Sequence, residues 1–108
     1  MKPPRLISGI QPTGKLHIGN YLGALKNFVA LQNGGAYECF FFLADYHSLT
    51  EYNWKTADEK RIQILDLAAN FIAAGIDPAK SVLFQQSAVP AHTELAWIFN
   101  TVIPMGHL

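Results

Sequence analysis

Apolar and polar residues follow two rhythms along this chain, and the switches between them mark out its elements. Residues 5–10, RLISGI, form a short apolar and β-branched run closed by Gln11-Pro12-Thr13-Gly14, which predicts a strand feeding a tight loop. Ile18, Leu22, Leu25 and Val29 then recur at spacings of four, three and four, which lines one face of a helix stopped by Asn33-Gly34-Gly35. Residues 37–44 are nearly all apolar and include three consecutive phenylalanines. Such a run lacks a polar face and predicts a central strand covered by helices on both sides.

The helical rhythm returns after Asp45-Tyr46-His47-Ser48. Thr56-Ala57-Asp58-Glu59 has the spacing of a capping box, and Ile62, Leu65, Ala69, Ile72 and Ile76 mark the predicted buried face. Gly75 suits the C-terminal cap and Asp77-Pro78 the turn beyond it. Residues 81–85, SVLFQ, predict a third strand, and Pro90 suits the first turn of a third helix running through Glu94, Trp97 and Phe99 to Pro104. Trp97 reads as core or as a subunit interface.

The order βαβαβα with short loops predicts a parallel sheet with right-handed crossovers, half of a doubly wound α/β fold. Ligands of such folds sit beyond the carboxyl ends of the strands. Those ends carry Gly9 to Gly14, then Asp45-Tyr46-His47, then Gln85-Gln86-Ser87.

Composition narrows the classes. The chain has 108 residues, of which 50% are hydrophobic and 15% charged, so it has the makings of one packed domain. Eight basic residues balance eight acidic ones, which leaves no overall electrostatic footprint for nucleic acid or an anionic membrane. The single cysteine, Cys39, lies in an apolar run and reads as a buried thiol, which suits a reducing compartment. No run approaches the ~18 apolar residues of a membrane span. His17, His47, His92 and His107 lack metal-ligand spacing and have no cysteine pair beside them, so no metal site is expected.

The stretch GIQPTGKLHIGN, residues 9–20, holds two nucleotide signatures. From Gly9 it reads G-x-x-x-x-G-K, but Leu16 stands where a phosphate loop needs a metal-binding hydroxyl, and Pro12 removes one N–H from the cradle. From His17 it reads H-I-G-N at a strand-loop-helix junction. There the helix N-terminus attracts phosphate, His17 can donate a ring N–H, Gly19 admits close approach, and Asn20 adds an amide. The second signature fits better.

I-S-G-I-Q-P-T-G-K-L-H-I-G-N resembles the opening of class I aminoacyl-tRNA synthetases, more narrowly the tryptophanyl type. F-L-A-D-Y-H-S-L-T, A-x-G-I-D-P, L-F-x-Q-S-x-V-P-A-H and M-G-H-L look similar too, in the right order over essentially all 108 residues. The resemblance implies a Rossmann-like (HUP-type) parallel sheet, the first half of the catalytic domain. It also implies that Gln11, Pro12, Thr13, His17, Gly19 and Asn20 bind ATP, with His17, Asn20 and Gln11 carrying the catalytic roles. Ile7, Gly9, Gln11 and His47 would line the amino-acid pocket. Ile7 stands where some relatives carry phenylalanine.

The implied reaction activates L-tryptophan with MgATP and transfers it to tRNA(Trp). The implied protein is a cytoplasmic or organellar homodimer with no tightly bound cofactor. The lysine-rich KMSKS loop, the acidic residue that reads the indole N–H and the anticodon-binding domain do not occur in this sequence, so it reads as an N-terminal portion of such a domain. Weak catalysis and self-association through exposed edges are expected. A tyrosyl-tRNA synthetase and a noncatalytic nucleotide-binding half-domain are the alternatives. A small nucleotidyltransferase of the H-x-G-H kind fits less well, because Gln11-Pro12-Thr13 departs from its G-x-F-D-P opening.

Overall fold

The computed structural model describes residues 1–13, 19, 21–50 and 55–107. Three parallel strands, β1 (Arg5–Ile10), β2 (Glu38–Leu43) and β3 (Val82–Gln85), lie side by side in chain order with β2 central. The registers run Arg5 with Glu38 through Ile10 with Leu43, and Phe40 with Val82 through Leu43 with Gln85. Both crossovers step across the sheet in the same direction. The right-handed rule therefore places the connecting helices, α1 (Lys26–Gly34) and α2 (Ala57–Ala74), on one face.

That face holds the core. Leu25 and Phe28 come from the first helical segment, Leu67 and Phe71 from α2, and Cys39, Phe41 and Leu43 from alternate positions of β2. The Phe28 ring stacks on Phe41 at a centroid distance of 4.6 Å and lies 6.3 Å from Phe71. Such aromatic contacts add to area burial, so this trio should dominate the stability of the sheet-helix layer. Cys39 is 2% exposed, and burial pushes its thiol up, as expected of an inert core cysteine.

The opposite face is less covered. The continuous apolar run of β2 predicted helices on both sides, yet Phe40 and Phe42 are only half-buried while Cys39, Phe41 and Leu43 are fully enclosed. Ile7 beside Phe40 is 62% exposed. Helix α3 (Ala91–Val102) contributes His92 to this side, where its ring approaches Phe42 and Phe84 at 6.5 and 6.1 Å. Trp97 is 73% exposed, so its reading as core of this chain does not hold.

Two predicted helix faces also differ. Residues Tyr21–Leu25 form a π turn that runs into α1. A π turn has more residues per turn, so Leu22 leaves the face that buries Leu25 and is exposed. In α2 the buried side runs through Leu67 and Phe71, with Ile64 and Ala68 packed beside them, while Ile62, Leu65, Ala69 and Ile72 face outward. The helix is apolar on two sides, and packing against Phe41 selects one.

The local signals at the helix ends behave as read. Thr56 accepts from the Glu59 N–H at 3.2 Å, and the Glu59 carboxylate accepts from the Thr56 N–H at 2.8 Å. Gly75 closes α2 at φ 116°, the left-handed region that favours glycine. Gln32, 6% exposed, joins α1 to the turn after α2: its Nε2 donates to Gly75 O at 3.1 Å, and its Oε1 accepts from Asp77 N and Ser81 Oγ, each at 2.8 Å.

Candidate functional site

Three loops leave the carboxyl ends of the strands next to one another. After β1, the Thr13 N–H reaches back to Gln11 O at 3.0 Å, a γ-turn centred on Pro12, whose ring fixes φ near the value such a turn needs. Pro12 is fully buried. The Gln63 amide of α2, in the orientation that satisfies both its groups, donates to Pro12 O at 3.0 Å and accepts from Lys55 Nζ at 3.2 Å. The loop is thus held from below by a helix, which leaves Thr13 exposed at the surface.

Strand β2 ends in the same way. The Asp45 N–H donates to Leu43 O at 2.9 Å, and the Ala44 N–H donates to Ile10 O at 2.9 Å, which keeps the ends of β1 and β2 together for one further step. A 3₁₀ turn, His47–Thr50, follows. Its buried Ser48 donates from Oγ to Asp45 O at 2.6 Å and accepts from Lys60 Nζ of α2 at 3.3 Å.

The third loop is a 3₁₀ turn, Gln86–Ala88, and Asp45 ties it to the second. Gln85 Nε2 donates to Asp45 Oδ2 at 2.7 Å and to Ser87 Oγ at 2.9 Å. The N–H groups of Ser87 and Tyr46 both donate to Asp45 Oδ1 at 3.0 Å. Partial burial pushes the Asp45 carboxyl up, but the donors on Gln85, Ser87 and Tyr46 outweigh it and hold the group below the usual carboxylate range. Asp45 is therefore an anion at neutral pH. Within the same cluster the His47 N–H donates to Gln86 Oε1 at 3.2 Å, and His92 Nδ1 lies 3.2 Å from Gln86 O.

The residues named from the sequence fall as follows. Ile7 and Gly9 occupy alternate positions of β1 and so share the half-open face of the sheet. Gly9 pairs with Phe42, and a Cβ at Gly9 would meet the Phe42 ring and Phe42 O at 2.7 Å. Glycine is needed there for the Phe42 ring to lie across the strand. Gln11, half-buried, opens the first loop, and His47, exposed, opens the 3₁₀ turn beside it. Gly19 is helical and exposed. His17 and Asn20 lie outside the described residues, as does the start of the predicted helix at Ile18.

Among the described residues no group of three or more His, Cys, Asp or Glu side chains could hold a metal ion. Nor is any helix among them long and apolar enough to cross a membrane. Asp45 and Gln85-Gln86-Ser87 stand at predicted strand ends in the sequence, with no motif that assigns them a role. The signal available was an acidic residue ending one parallel strand and amide and hydroxyl side chains ending the next.

Comparison with known proteins agrees with this layout. Residues 1–108 match the family described as tRNA synthetases class I (W and Y). The tryptophan–tRNA ligase of Rhizobium meliloti is 52% identical over 103 residues, covering 95% of this chain and 28% of that protein. The enzyme of the same name from Fusobacterium nucleatum is 48% identical over 104 residues, covering 96% and 31%. This chain thus spans about three-tenths of the length of the curated relatives it matches.

Among solved structures, tryptophanyl-tRNA synthetase from Campylobacter jejuni superposes with a TM-score of 0.84 at 41% identity, covering 97% of this chain and 32% of that one. The same enzyme complexed with ADP and tryptophan gives 0.84 at 42% identity, over 94% and 31%. Tyrosyl-tRNA synthetase from Archaeoglobus fulgidus, at 20% identity and a TM-score of 0.79, shares the fold. With the parallel α/β sheet and the matched span taken together, this chain belongs to the class I tRNA synthetases of the tryptophan and tyrosine group.

Proposed function

We propose that this chain is the ATP- and tryptophan-binding part of a cytoplasmic tryptophan–tRNA ligase. The observation that carries the reading is the convergence of three strand-end loops, one of them beginning with Gln11-Pro12-Thr13, on the carboxyl edge of the sheet, where nucleotide folds bind ligands. Similarity to tryptophan–tRNA ligases at about 50% identity supports tryptophan over tyrosine, and a relative that holds ADP and tryptophan supports both ligands.

In this reading Gln11, Pro12, Thr13, His17, Gly19 and Asn20 face MgATP. Ile7, Gly9, Gln11 and His47 face the amino acid. A tryptophan carboxylate oxygen attacks the α-phosphorus, the bond from that phosphorus to the bridging oxygen of the β-phosphate breaks, and pyrophosphate leaves. A tRNA(Trp) 3′-terminal hydroxyl then attacks the adenylate carbonyl and AMP departs. The first step needs alignment and charge stabilisation more than a nucleophilic side chain; the loop anchored by buried Pro12 serves the alignment, and His17 and Asn20 carry the charge stabilisation in this reading. A homodimer is the proposed assembly, with exposed apolar residues of α3 such as Trp97, Ile98 and Val102 available to it.

Calorimetric titration of the chain with MgATP, tryptophan and tyrosine tests this reading, with His17→Ala and Asn20→Ala as controls. Binding of ATP that both substitutions weaken, and of tryptophan over tyrosine, is the expected result. A folded chain that binds neither ligand would refute a preformed site in this portion.

A further inference from the structure

We infer that Asp45 is a positioning residue for the ligand site: its carboxylate locks the Gln86–Ala88 turn onto the end of β2 and so sets Gln86, and through it His47, at the mouth of the three loops. The inference deepens the proposed function and rests on it for the identity of the ligand.

Among the described residues, side-chain hydrogen bonds join the second and third loops at three places, and two of them end on Asp45: Gln85 Nε2 to Oδ2 at 2.7 Å and Ser87 N to Oδ1 at 3.0 Å. The third is the His47 N–H to Gln86 Oε1 at 3.2 Å. Gln86 sits between the two residues that Asp45 holds. Its position is therefore a consequence of the Asp45 contacts on either side, and its amide oxygen and backbone carbonyl face His47 and His92 respectively. Bonds from several donors to one carboxylate are stronger than neutral ones, so the clamp is the stiffest link between these loops. The His47 carbonyl accepts from Thr50 Oγ1 at 2.8 Å and the next residue is held by Ser48 N–H to Ala44 O at 3.1 Å, so what Gln86 Oε1 adds is the partner of the His47 N–H itself. Without Asp45 the Gln86 turn would swing away from β2 and His47 would lose its partner.

Amide exchange by NMR on the whole chain reads this link directly. Asp45→Ala should speed exchange at the His47 N–H at least tenfold while leaving the core amides of Phe41 and Phe71 unchanged. Gln86→Ala should do the same, and the double variant should add nothing further. Asp45→Asn, which keeps an acceptor for Ser87, should restore most of the protection. If Asp45→Ala fails to fold, Gln85→Ala removes one of the two ties and should give an intermediate rise.

On the same samples, tryptophan affinity should fall at least tenfold with Asp45→Ala and recover with Asp45→Asn. Unchanged His47 exchange, or additive effects in the double variant, overturns the clamp. Altered exchange with unaltered affinity overturns its role at the ligand site. A wild-type chain that binds no tryptophan counts against the proposed function instead, and the exchange data still decide the clamp.

Discussion

Two polar side chains, Gln32 and Asp45, tie this small sheet together at opposite ends, and they do so with different chemistry. Gln32 is buried and neutral, and it satisfies Gly75, Asp77 and Ser81 at the end where α2 turns back toward β3. Asp45 is charged and half-exposed, and it gathers Tyr46, Gln85 and Ser87 at the carboxyl edge. A fully satisfied neutral network in the interior serves stability, because each partner left alone is costly. A charged network at a wet edge adds less stability and fixes the geometry of loops instead. One end of the sheet is built to stay shut and the other to hold a shape.

The contrast can be broken most forcefully at the buried end. Gln32→Ala strands the Asp77 N–H, the Ser81 hydroxyl and the Gly75 carbonyl, and should lower unfolding free energy by roughly 3 kcal/mol in urea titrations. Ligand affinity per folded molecule should not change. Gly9→Ala drives a Cβ against Phe42 and should remove about 2 kcal/mol, read as a drop in Tm, and it should disturb the carboxyl edge as well. Thr56→Ala, which breaks the capping box of α2, should lower stability by about 1 kcal/mol without touching either network.

Acid sharpens the comparison with the smallest signal. Because Asp45 is held below its usual range in the folded chain, its contribution is present above the unfolded value of about 3.9 and is lost as pH falls through the lower folded value. The stability gap between wild type and Asp45→Asn should therefore be flat near neutrality and close in that acid window. The gap for Gln32→Ala should show no such closure.

Much of the fold was legible because its signals are local. β1, β2 and β3 follow from apolar runs, Thr56 and Glu59 announce the start of α2, and Gly75 its end. The buried side of α2 was not legible. Ile62, Leu65, Ala69 and Ile72 compete with Ile64, Leu67, Ala68 and Phe71 at the same helical spacing, and only contact with β2 decides between them. The site divides similarly. Gly9, Gln11 and His47 could be placed at strand ends from the sequence, with their pocket roles resting on the family resemblance, whereas the Asp45 clamp pairs residues 40 and 42 positions apart and leaves no periodic trace.

The strand order has a consequence for how such a chain is made. Each strand pairs with the one synthesised just before it, and each crossover helix is made between the two strands it connects. A ribosome delivering residues from the N-terminus can therefore add structure in the order it emerges, with no early strand waiting for a distant partner among these three. The β1–α1–β2 unit can form while α2 is still being translated, and Asp45 is in place before the Gln86 turn arrives to meet it.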